Sequence, residues 1–280
     1  MMIEEAELLS LLRQERDKRP DLARCLDLHL ALVAARAEVS APVPADWVER
    51  GRCRLERGEP ALDIDELPLN WKPVTELART ICQITARHEP ELAEAFERIQ
   101  SRLGGDAGDP VDPELFGFVM NQALHPFLQA YADAAAPLLE EQRRDRRDCP
   151  VCGGHPDFAA LEAEAGTRRL LCARCDAEWG YRRLGCPYCG NEDAGTLGYF
   201  PAGDGAYRLY VCDRCKGYLK TVDRREAWRD IPLAVERILT VGLDVAAAHQ
   251  GYGWPRPLHG MIRTRARGPS SNSIRTGRNC

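Results

Sequence analysis

The sequence predicts a multi-domain α+β chain. An all-helical N-terminal domain (1–142) precedes two tandem zinc-ribbon metal modules of four cysteines each (143–184 and 185–223), a closing C-terminal helix with its extension (224–260) and a basic tail (261–280). Three observations carry this. Apolar residues recur at helical spacing through the first half. Eight of the twelve cysteines fall in four Cys-x-x-Cys pairs between Cys149 and Cys215. Those pairs form an internal repeat.

In the helical part, Ile3 to Arg19 places Leu8, Leu9, Leu11 and Leu12 among charges and stops at Pro20. Asp21 is the expected cap of the next helix, where Leu22, Cys25, Leu26, His29, Leu30 and Val33 share a face. Ser40 to Pro44 breaks the chain, and a shorter helix follows around Trp47 to Arg57. Pro73 suits the first turn of VTELARTICQITARH, and Pro90 that of EPELAEAFERIQSRL. Asp112 can cap a long helix towards Glu140, which Pro126 and Pro137 should bend or interrupt. Cys25, Cys53 and Cys82 read as small buried hydrophobes. His29, His88 and His125 read as ordinary surface or core histidines.

The charged joint EEQRRDRRD at 140–148 reads as a solvated linker, with an anion-binding patch as the alternative. The cysteines then run C-x2-C-x19-C-x2-C, a ten-residue spacer, and C-x2-C-x22-C-x2-C. CPVCG at 149 returns as CPYCG at 186, and RRLLCARC as YRLYVCDRC. Two sulfurs three residues apart can grip one metal from a single turn, and a second turn brought back by a hairpin completes a four-thiolate shell. Gly153 and Gly190 suit the left-handed backbone of such turns. Pairing within repeats assigns Cys149, Cys152, Cys172 and Cys175 to one ion, and Cys186, Cys189, Cys212 and Cys215 to the other; a cross-braced pairing is the alternative.

The N-terminus is acidic, without the positive charge or apolar core of a signal peptide, and no stretch approaches the roughly 20 apolar residues of a membrane span. The expected location is the cytoplasm, where clustered cysteines favour metal over disulfides. Thiolate ligands alone do not separate zinc from iron. Arg168, Arg174, Arg208, Arg214 and Lys216 could offset the charge of the sites.

Pro232 to Gln250 reads as the closing helix, packed on the ribbons or the helical domain. The last twenty residues carry five arginines and no acid, and read as a disordered tail with Cys280 a free thiol. The whole chain is 280 residues, 44% hydrophobic, with formal charge −5. That balance gives no global argument for nucleic acid. No GxSxG, P-loop, GxGxxG in context or HExxH occurs, so the sequence offers no enzyme signature.

The run CPVCGGHP…LLCARCDAEWGYRRLGCPYCGNED…VCDRCKGYLKTVD, followed by LDVAAAHQGYG, resembles the FdhE-type formate dehydrogenase accessory proteins of bacteria. The resemblance covers about 149–253, and CDAEWGYRRLGCPYCG is its most distinctive part; the segment from Trp254 departs from it. The resemblance implies rubredoxin-like modules associated with iron, and all eight named cysteines match the family's CxxC positions. It also implies a cytoplasmic chaperone that recognises the catalytic subunit of respiratory formate dehydrogenase before export and is not itself an enzyme. Two readings from other classes stand beside it: a nucleic-acid-binding zinc-ribbon protein using the basic tail, and a rubredoxin-like electron carrier. The expected partner is that catalytic subunit, with no nucleic acid and no membrane insertion.

Overall fold

A computed structural model describes residues 5–254 apart from 65–66, 68, 106–109, 141–144, 163–165, 204 and 228–230. The joint at 141–144 and the tail therefore lie outside the described residues.

The N-terminal half is helical. Helices α1 (Glu5–Lys18), α2 (Ala23–Ala37), α3 (Trp47–Glu56), α4 (Trp71–His88) and α5 (Ala93–Leu103) precede a longer α6 (Pro113–Glu140), against which α2 to α5 pack. The apolar faces of α2 to α6 meet in one core that includes Leu32, Ile81, Phe96, Ile99, Val119 and Leu128. Asp112 caps α6 as expected, its Oδ1 accepting from the Glu114 and Leu115 amides. Asp21 does not cap α2. It sits in a 3-10 turn, Pro20–Leu22, and Leu22 takes the N-cap position without a side-chain bond.

The prolines of α6 do not interrupt it: the helix runs 28 residues with Pro126 and Pro137 inside. An interior proline costs about 3 kcal/mol. Residues 123–129 are all buried, and burying such side chains outweighs that cost.

The second half is a six-stranded sheet of order β3-β2-β1-β6-β5-β4. The first repeat supplies β1 (Pro156–Leu161), β2 (Arg168–Cys172) and β3 (Glu178–Tyr181); the second supplies β4 (Leu197–Ala202), β5 (Tyr207–Cys212) and β6 (Gly217–Asp223). Within each repeat, neighbouring strands are antiparallel. The repeats are joined by a parallel pair, β1 with β6, from Phe158↔Lys220 to Leu161↔Asp223. The connections between the knuckles of each repeat therefore carry strands, 156–161 in the first and 197–202 in the second.

The closing helix is broken. It forms α7 (Leu233–Leu239) and α8 (Val241–His249) around Thr240, whose hydroxyl donates to Glu236 O at 2.8 Å. Each piece serves a different surface. Val235, Ile238 and Leu239 of α7 join Leu8, Leu12, Leu26 and Val33 of α1 and α2, and Leu233 joins Phe158 and Leu171 on the sheet. Ala247 of α8 packs on Leu209, Val211 and Tyr218, while Val245 stays 54% exposed. No helix among the described residues is long and apolar enough to cross a membrane.

Candidate metal centres

The second CxxC turn of each repeat sits between two strands of the sheet. Cys172 closes β2 and Cys212 closes β5, so each hairpin returns its second knuckle to the first. The first knuckles fold alike. The Gly153 amide donates to Cys149 O at 2.9 Å, and the Gly190 amide to Cys186 O at 2.9 Å. Both glycines are left-handed, φ 67° and 72°, as their positions required. The second knuckles use the same geometry without glycine: Asp176 has φ 54° and Lys216 has φ 55°. The sequence carried one signal for these two, their equivalent place in the repeat.

The eight sulfurs fall into two groups, Cys149, Cys152, Cys172, Cys175 and Cys186, Cys189, Cys212, Cys215; in each, all four lie within 4.8 Å of one another. Near contacts are 3.6 Å for Cys149–Cys175, 3.5 Å for Cys152–Cys172, and 3.7 Å for both Cys186–Cys215 and Cys189–Cys212. Metal–sulfur bonds of about 2.3 Å set tetrahedral edges of roughly 3.8 Å. A disulfide would need about 2.05 Å. The spacing fits a tetrahedral ion and excludes bonded sulfur pairs.

Electrostatics point the same way. Burial pushes the Cys149 and Cys175 thiols well up, while bonds from Cys149, Cys172 and Cys175, aided by Arg174, hold Cys152 well down. Four thiolates cannot share a buried pocket without a cation to offset them. In the second group burial raises Cys186, and raises Cys215 to about 11. At Cys212 burial opposes ionisation too, but the amides of Cys215 and Arg214 and the Asn191 side chain outweigh it. The groups differ in access: all four cysteines of the first are buried, whereas Cys189 and Cys215 of the second are half-buried.

The nearby cations mostly serve other partners. Arg174 touches the first group, its amide donating to Cys172 Sγ at 3.4 Å. Arg208 pairs with Asp223 at 2.6 Å, and Lys216 with Asp213 at 2.6 Å. Arg168 donates to Gly185 O and lies 4.4 Å over the Tyr210 ring.

Around the first group runs a buried ionic network that periodicity could not reveal. His125 Nε2 lies 3.1 Å from Asp176 Oδ2, and Arg237 Nη1 lies 2.9 Å from Asp176 Oδ1 and 3.4 Å from Asp157 Oδ2. It ties α6, the first module and α7 together. Of the dispersed cysteines, Cys82 is buried as expected, whereas Cys25 and Cys53 are only half-buried.

Residues 148–183 match the family model described as FdhE, central domain. A solved structure, the FdhE protein from Pseudomonas aeruginosa, superposes with a TM-score of 0.59 at 23% identity, covering 91% of this chain and 94% of that one. No curated protein sequence matches significantly. The chain has the fold of that FdhE crystal structure, and its first four-cysteine module matches the FdhE central domain.

Proposed function

We propose that the protein is a cytoplasmic accessory factor for the maturation of respiratory formate dehydrogenase, recognising the catalytic subunit before export. The observation that carries this is two tetrahedral sulfur groups built into one sheet within an FdhE fold. Cys149, Cys152, Cys172 and Cys175 would hold one ion, and Cys186, Cys189, Cys212 and Cys215 the other. Iron is the expected metal on the family resemblance, and zinc fits the same ligands. An ion in such a site supplies folding free energy on the order of 10 kcal/mol; iron would add a change of valence.

The first group, enclosed on every side, acts as scaffold. The half-buried second group is where oxygen or a redox partner would act, so redox sensing is the secondary role. Co-purification from anaerobic cells tests the reading. The wild-type chain should retain the formate dehydrogenase catalytic subunit, and Cys186→Ser should lose it together with its metal. Retention at full strength by a chain stripped of both ions would refute the metal-scaffold role.

A further inference from the structure

Beside the second sulfur group lies a groove of about 310 Å³, walled by Leu184, Pro187, Tyr199 and Tyr210. Three arginines, Arg168, Arg183 and Arg208, line it, and among the described residues no carboxylate does. Its outer residues are held open to solvent: Leu184 is 72% exposed and Tyr199, on the strand that ends the sheet, 51%. One wall, 183–188, runs from the spacer between the modules into the first knuckle of the second.

Arg168 is the unusual member. Its residue is 3% exposed, it stacks on Tyr210, and its Nε has no hydrogen-bond partner. Burying a guanidinium donor unpaired is costly, and an anion brought against the groove wall would offset the charge of Arg168. Arg208 already pairs with Asp223, but Arg183 is exposed and forms no ion pair among the described residues. Tyrosine faces beside arginine donors are the composition of interface hot spots.

We propose that this groove is the docking site for an extended segment of a partner protein that carries an acidic side chain next to a large apolar one. The chain's own C-terminal tail does not suit it, because that tail holds five arginines and no acid. The inference rests on the accessory-protein reading only in placing the client contact here.

The test uses the full metal-loaded chain and a fluorescein-labelled peptide of alternating glutamate and phenylalanine, with a lysine–phenylalanine peptide as control. Anisotropy should show saturable binding of the acidic peptide alone. Arg183→Glu and Tyr199→Ala, both at exposed positions, should each weaken it roughly tenfold with metal content unchanged. Equal binding of both peptides, no saturation, or insensitivity to both substitutions would overturn the proposal. So would a concentration-dependent dimer dissolved by Leu184→Asp, which would make a second copy the occupant. In client co-purification, wild type and variants retaining the catalytic subunit equally would reject the groove and leave the accessory role standing. Peptide binding without any client would do the reverse.

Discussion

At the scale of single residues, backbone conformation and sulfur packing decide what each position tolerates. Gly154 has no side chain because there is no room: a Cβ there would stand 3.1 Å from Cys172 Sγ and 3.2 Å from Cys152 Sγ. Gly154→Ala should therefore weaken metal retention at the first group roughly 10–100-fold, as substitutions just outside a ligand shell do. Metal competition with a chromogenic chelator would measure it, and the second group should be unaffected.

Two histidines set a pH dependence. Burial holds His125 below its ordinary value and pulls His29 down to about 3. A base whose folded pKa is lowered takes protons more readily when unfolded, so stability falls as pH drops below the unfolded value of about 6.5. Between about pH 7.5 and 5.5, urea melts of wild type should lose about 1 kcal/mol more than those of His29→Asn. Parallel pH profiles would contradict this. The CxxC sulfurs and the left-handed Gly153 and Gly190 were legible in the sequence, since each follows from one residue type at one spacing. The left-handed Asp176 and Lys216 were not, because local preference disfavours that conformation and the fold imposes it.

At the scale of elements, amphipathic periodicity located the helices, and its failures have identifiable causes. The α7–α8 break went unread because Leu233 to Val245 is apolar on several sides; only the tertiary surfaces show that one half faces α1 and the other β6. The β1–β6 pair was invisible for a related reason. Parallel pairing between distant repeats leaves no turn signal between its strands. What holds α7 against the first module is testable. Arg237→Ala leaves Asp157 and Asp176 without their shared cation in a buried setting, and should cost about 3–5 kcal/mol in chemical denaturation. A loss below about 1 kcal/mol would mean the network is solvated and only incidental.

At the scale of the whole molecule, the sheet binds the two sulfur groups into one body with the helices. The first knuckle is stitched to the helical half, the Ala61 and Leu62 amides donating to Pro150 O and Val151 O at 2.8 Å. The general architecture was readable from repeat and periodicity, but this docking depends on pairings only the folded chain brings together. Unequal burial of the groups predicts two-phase metal release to a chelator, the half-buried second group emptying first. Cys189→Ser should remove the fast phase alone. The central claim is that eight sulfurs converge on two ions, and combined elemental analysis and X-ray absorption on anaerobically purified protein tests it most directly. The prediction is two iron or zinc ions per chain, each with four sulfurs at about 2.3 Å; protein that contains no bound ion, or ions ringed by nitrogen and oxygen, would contradict it.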